Sequence, residues 1–138
     1  MGVRENYEEL LKRVEACASR VGRTIEDITI VAITKTVPVE RIREAYDCGL
    51  KIYGENRVQE AREKYGMLTD VSWHLVGHLQ TNKVKQAVEM FTLIHSVDSL
   101  RLAGEISKRA GAIGKRQDIL VQVNTSREES KSGIAPWE

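Results

Sequence analysis

The chain reads as a parallel α/β fold, and three features of its 138 residues predict this. Short apolar runs alternate with segments of helical periodicity along the length. The run centres at Ile30, Ile52, Leu75, Leu93 and Leu120 lie 22, 23, 18 and 27 residues apart, the spacing of successive strand-helix units. No repeat, low-complexity stretch or Pro/Gly-rich linker interrupts them. This fits either an open doubly wound sheet or part of a (β/α)8 barrel. A closed barrel takes roughly 250 residues, so a chain of this length would stop short of closure.

Tyr7, Leu10, Leu11, Val14, Ala18 and Val21 recur at helical spacing before Gly22, which predicts an amphipathic first helix. The apolar run Ile28 to Thr34 predicts a first strand that Lys35 closes. Pro38 starts and Gly49 ends a second helix. Leu50 to Tyr53 reads as a strand, Val58 to Tyr65 as a helix, Trp73 to Val76 as a strand and Asn82 to Val88 as a helix. Leu93 to His95 follows as a strand, Leu100 to Ala110 as a helix with Ser99 as its cap, and Ile119 to Val123 as a fifth strand.

Composition narrows the function classes. With 41% hydrophobic and 30% charged residues the chain is ordinary for a globular domain. Its 21 basic and 20 acidic residues leave a formal charge of +1, which argues against a surface built to neutralise a nucleic acid. Cys17 and Cys48 form no metal or redox spacing and are expected to fill helix interiors. No apolar run spans a bilayer and the amino terminus has no basic-then-apolar secretory layout, so the expected location is the cytoplasm.

Chemistry is expected in the loops after the strands, which share one face of a parallel sheet. Lys35 stands first among the candidates. An ammonium deprived of water at a strand mouth sheds its proton more readily, and the neutral amine is a nucleophile. A lysine there can also simply carry its head past the apolar strand end to water. In Gly54-Glu55-Asn56-Arg57-Val58-Gln59-Glu60 the glycine permits a tight turn, and Asn56 presents an amide near a helix start, where it can also serve as a plain cap. In His74-Leu75-Val76-Gly77-His78-Leu79-Gln80-Thr81-Asn82-Lys83 the glycine lets the backbone approach a ligand. His78, Gln80, Asn82 and Lys83 put polar groups at the mouth, while His74, on the strand, reads as a structural hydrogen-bonder. His95 and Asp98 could form an acid/base pair, although no nucleophile elbow accompanies them. The last loop, Asn124 to Gly133, is polar and holds Lys131, a second cation.

Taken in order, Val31-Ala32-Ile33-Thr34-Lys35, the Gly54 to Glu60 segment, Trp73 to Lys83, His95-Ser96-Val97-Asp98 and Ser130-Lys131-Ser132-Gly133 closely resemble the pyridoxal phosphate homeostasis protein family. The resemblance covers essentially the whole chain. It implies a single domain over 1–138 similar to the amino-terminal barrel of alanine racemase, a fold of the (β/α)8 TIM-barrel type, incomplete, with about five of eight strands. It also implies pyridoxal 5′-phosphate (PLP) as cofactor, held as an imine. Lys35 matches the family's cofactor lysine, Asn56 and His78 fall in its cofactor-facing loops, and Lys131 matches a further lysine near the mouth. The Ser/Gly-rich segment and late arginine with which the family holds the phosphate have no counterpart before Glu138.

The function expected from this resemblance is cofactor homeostasis. The chain would hold PLP on Lys35 and buffer it or deliver it to PLP-dependent acceptor enzymes, with no catalysis required. One alternative is a PLP-dependent amino-acid racemase, which needs two bases flanking the substrate α-carbon. Another is a non-catalytic α/β scaffold in which Lys35 is a surface lysine. An unclosed sheet also leaves two unpaired edges. The expectation is self-association through them, or an open sheet with helix-protected edges and a mobile segment after Asn124.

Overall fold

A computed structural model describes residues 2–138. Five strands form one parallel sheet in the sequential order β1 (Ala32–Ile33), β2 (Ile52–Glu55), β3 (Ser72–Leu75), β4 (Leu93–Val97) and β5 (Asp118–Val121). Helix α1 (Val3–Arg20) precedes the sheet, and α2 (Val39–Asp47), α3 (Val58–Lys64), α4 (Val84–Met90) and α5 (Leu100–Ala112) connect its strands. Short 3-10 turns occupy Ile25–Asp27 and Thr81–Lys83.

Sequential parallel order settles the architecture that spacing left open. Right-handed crossovers that always advance to the next strand keep every helix on the same face of the sheet. Ile42 and Ala45 of α2, Val58 and Ala61 of α3, Val84, Ala87 and Val88 of α4, and Leu102, Ile106 and Ala110 of α5 share one core with Tyr53, Trp73, Leu75 and Ile94. A doubly wound sheet would divide its helices between two faces. The single helical layer is that of a barrel segment, with the opposite, concave face carrying Ile33, Gly54 and the His74–His95 pair. An added Cβ on Gly54 would fall 2.6 Å from Ile33 Cδ1, so this glycine makes room for a neighbouring side chain and not for a turn.

Several elements differ from expectation. β1 is confined to Ala32–Ile33, the two residues in ladder register with Tyr53 and Gly54 of β2, while Thr34 N–H still donates to the Gly54 carbonyl at 2.9 Å. Along α1 only Ala18 is buried, while Leu10 and Val21 are exposed. Cys17 lies exposed beside that narrow stripe and Cys48 is partly buried past the end of α2, so neither fills a helix interior. Ser99 caps α5 as expected, its Oγ accepting from Leu102 N–H at 3.1 Å. The segment after Asn124 folds back on the chain. Asn124 N–H donates to the Ile134 carbonyl at 2.8 Å and Ile134 N–H to the Gln122 carbonyl at 2.9 Å, pairing the chain just past the end of β5. Gly133 makes this return possible, since at φ +119 its missing Cβ would lie 2.7 Å from Asn124 N.

One charged cluster ties β1, β2 and α3 together. Glu55, fully buried at the end of β2, accepts from Lys64 Nζ at 2.6 Å and from Thr34 Oγ1 at 2.6 Å through the same oxygen. Lys64 Nζ also donates to the Thr34 carbonyl at 2.6 Å and to Glu60 Oε1 at 3.0 Å. Burial favours loss of the Lys64 proton, but the hydrogen bonds to Glu55 and Glu60 outweigh it and hold the ammonium above its ordinary range. The second Glu55 oxygen has no partner among the described residues, so Lys64 supplies the only counter-charge in contact with this buried carboxylate.

Two predictions arise from this packing. Lys64→Met should destabilise the fold by about 3–5 kcal/mol in urea unfolding, because it strands a buried charge, and Lys64→Met with Glu55→Leu should recover much of that loss. A single variant within about 0.5 kcal/mol of the parent would show that the pair is not the constraint assigned to it. The second concerns the imidazoles of His74 and His95, whose Nδ1 and Nε2 atoms lie 3.0 Å apart. Burial, and for His74 also the neighbouring His95, keeps both below the ordinary value of 6.5. The unfolded chain therefore takes up protons that the folded chain refuses. Stability is full above pH 6.5 and falls as pH drops through the lowered folded values. Denaturation midpoints followed down to about pH 5 should show this decline, and His74→Gln/His95→Gln should flatten it. An unchanged slope in the double variant would remove the pair as its cause.

Candidate functional site

The carboxyl ends of β1, β2 and β3 bring three sequence candidates to one side of the sheet. Lys35 lies in the turn after β1 and is exposed. Its ammonium makes no hydrogen bond or ion pair among the described residues. This departs from the expectation of a desolvated lysine, because β1 is an edge strand whose loop faces water. Its backbone is nonetheless tightly held. Thr36 Oγ1 donates to the Lys35 carbonyl at 2.6 Å, Val37 N–H donates to the Thr34 carbonyl at 3.0 Å, and Thr36 N–H donates to Glu60 Oε1. Thr36 itself sits at φ +60, a left-handed conformation that a β-branched residue rarely adopts.

Asn56 and His78 line a shared cavity of about 330 Å³ between the loops after β2 and β3, together with Arg57, Gln59, Gln80 and Lys83. No acidic side chain lines it. Asn56 does not cap α3, since Arg57 holds the cap position and no side chain accepts there. Gly77 explains how the two loops meet. A Cβ at Gly77 would lie 2.2 Å from the Asn56 carbonyl oxygen, so the close approach that the glycine permits is to the neighbouring loop. Lys35 does not line this cavity, although the β1–β2 pairing places its loop next to that of Asn56.

The remaining candidates separate. Lys131 is exposed in the folded-back segment and its Nζ pairs with Glu128 Oε2 at 3.3 Å. His95 and Asp98 do not form an acid/base pair. His95 contacts His74, and Asp98 Oδ2 accepts from Gly133 N–H at 3.2 Å, so the aspartate fastens the last segment to β4. Sequence reasoning did not single out Glu60 and Lys64, which hold the Lys35 turn. Their spacing of four on α3 was a legible signal, because it places them on one helix face. That this face meets Thr34 and Thr36 was not. No cluster of three or more His, Cys, Asp or Glu side chains suited to a metal occurs among the described residues. No helix among them is long and apolar enough to cross a membrane.

What the arrangement can do chemically is present a free primary amine at a strand mouth, beside a polar cavity rich in donors. Such an amine reacts with aldehydes when neutral, and donors without acidic neighbours suit an anionic or carbonyl-bearing ligand.

Comparison with known proteins adds the family. Residues 6–138 match the family described as alanine racemase, N-terminal domain. The pyridoxal phosphate homeostasis protein of Aquifex aeolicus (strain VF5) is 46% identical over 138 residues, covering 99% of this chain and 60% of that protein. The protein of the same name from Escherichia coli (strain K12) is 37% identical over 137 residues, covering 96% and 58%. The chain thus spans about 60% of the length of the curated relatives it matches. PipY of Synechococcus elongatus PCC7942, solved with PLP bound, aligns at a TM-score of 0.76 and 40% identity, over 88% of this chain and 57% of that one. An unknown protein from Bifidobacterium adolescentis aligns at 0.86 and 34% identity, over 97% and 59%. With its helices on one face of a sequentially ordered parallel sheet and a match over nearly its whole length, this chain belongs to the alanine racemase N-terminal domain family.

Proposed function

We propose that this chain, as a single domain over 1–138, binds pyridoxal 5′-phosphate through Lys35 and serves cofactor homeostasis, buffering PLP or passing it to PLP-dependent acceptor enzymes. The observation that carries this reading is the unpaired Lys35 amine on a backbone held from both sides at the mouth of β1. The relatives named for PLP homeostasis, and the neighbour solved with PLP bound, support the same ligand.

The residues present fit such a group. PLP brings an aldehyde, with which a neutral amine condenses to an imine with loss of water. Lys35 is the residue for that bond, exposed in the turn after β1. Asn56 and His78, in their shared cavity, offer an amide and an imidazole as hydrogen-bond partners. Lys131 has a lesser part in this reading, as an exposed cation of the last loop already engaged with Glu128. Holding an aldehyde needs one amine and its donors, whereas racemisation needs a second base on the opposite face of a substrate. Retention asks only for the amine and the donors described above, and is the reading proposed here.

Incubation with PLP, borohydride reduction and peptide mass mapping provide the test. Lys35→Ala should abolish the dominant adduct while leaving the far-ultraviolet circular dichroism unchanged. Asn56→Ala and His78→Ala should each weaken PLP retention by about 0.5–1.5 kcal/mol, the worth of one hydrogen bond. An adduct spread evenly over the lysines, or undiminished in Lys35→Ala, would refute the assignment. Racemisation of a free amino acid by the intact chain would favour the enzymatic alternative.

A further inference from the structure

The amines of this chain differ sharply in what holds them. Lys64 is buried in the Glu55 cluster, Lys115 Nζ donates to the Phe91 carbonyl, Lys51 Nζ sits 3.1 Å from the centroid of the Tyr46 ring, and Lys131 pairs with Glu128. Lys12, Lys85 and Lys108 are exposed on helices, as open to water as Lys35. Exposure alone therefore does not distinguish Lys35. Its backbone does, because both of its neighbours are fastened to one charged cluster. Thr34 is held through its carbonyl by Lys64 and through its hydroxyl by Glu55, and Thr36 is held through its N–H by Glu60. The turn is strained at Thr36, and such strain persists only where the surroundings over-determine it.

We infer that Glu60, backed by Lys64 and Glu55, is a positioning residue for Lys35: its hydrogen bond to Thr36 N–H fixes the strained turn that directs the amine toward an aldehyde at the strand mouth. The inference rests on the reading of Lys35 as the aldehyde-binding residue and adds the group that makes it selective. Glu60 lies at the accessible rim of the cluster, with its side chain 23% exposed, while Lys64 and Glu55 form the buried part. Its loss therefore releases the turn and leaves the buried pair standing.

The test uses the 138-residue chain with a limiting amount of PLP, borohydride reduction and mapping of every modified lysine, with Lys85 and Lys108 as internal references. In the parent, Lys35 should carry most of the adduct. Glu60→Ala should lower the Lys35 share at least fivefold against those references, with the thermal melt still cooperative. Glu60→Gln keeps an acceptor for Thr36 N–H and should restore the share to within about twofold of the parent. If Glu60→Ala does not fold, Glu60→Asp, which keeps the charge near Lys64 but shortens the reach to Thr36, should show the same drop. A parent-like share in whichever of these two variants folds overturns the inference. So does an equal loss in Glu60→Gln, because that would make charge, not the bond to Thr36, responsible. A parent without preference for Lys35 refutes the preceding reading and this inference with it, whereas a preference that survives loss of the Thr36 bond removes this inference alone.

Discussion

The Lys64 ammonium reaches from the end of α3 into a space closed off by β1 and β2, where Glu55 and Glu60 are its charged partners and the Thr34 carbonyl its backbone partner. A carboxylate with no exposed surface would be untenable there alone, and desolvation makes the pair sensitive to the loss of either member. The bond count matters as much as the charge. Lys64 uses its three protons on three acceptors, which lie just past β1, at the end of β2 and on α3 itself. Edge strand β1 has only two residues in the ladder, so its anchorage depends heavily on this cluster. The placement of the Lys35 turn depends on it in turn.

The site is an outcome of loops pressed together. The 330 Å³ cavity exists because the loop after β3 packs onto the backbone at Asn56, and it can do so only because residue 77 lacks a Cβ. That contact brings Asn56 and His78, 22 positions apart in sequence, to the same cavity. The concave face beneath the mouth is quieter. Ile33 fills the space above Gly54, and His74 Nδ1 and His95 Nε2 lie 3.0 Å apart in a mutual hydrogen bond. Two histidines of the kind used in acid/base chemistry instead link β3 to β4. Asp98 is likewise spent on Gly133, which fastens the last segment beside the end of β4.

A lysine that captures an aldehyde must be reachable and correctly aimed, and these demands conflict. Exposure gives access but leaves a four-carbon side chain free, while burial gives order at the expense of access. Here the backbone is ordered and the side chain is left in solvent. The order comes from a strained threonine pinned by a carboxylate that is itself held as an anion. Glu60 is kept below its ordinary 4.5 first by the Thr36 N–H and then by Lys64.

The sequence by itself determined the alternation of five helices and five strands, their order along the chain and the position of Lys35 just after the first strand. Hydrophobic periodicity and the residues at Ser99, Pro38 and Gly49 carry that information locally. Motif order carried the family resemblance. Tertiary structure decided which face the helices occupy, how short β1 is, and what each polar side chain is bonded to. Pairing of Glu55 with Lys64, of His74 with His95 and of Asp98 with Gly133 joins residues 9, 21 and 35 positions apart. Gly54 and Gly77 look in sequence like turn or ligand glycines, yet each makes room for a neighbouring element of the same chain. Periodicity reports which side of an element is apolar, whereas a hydrogen bond between two elements depends on register and crossover, which exist only once the sheet has formed.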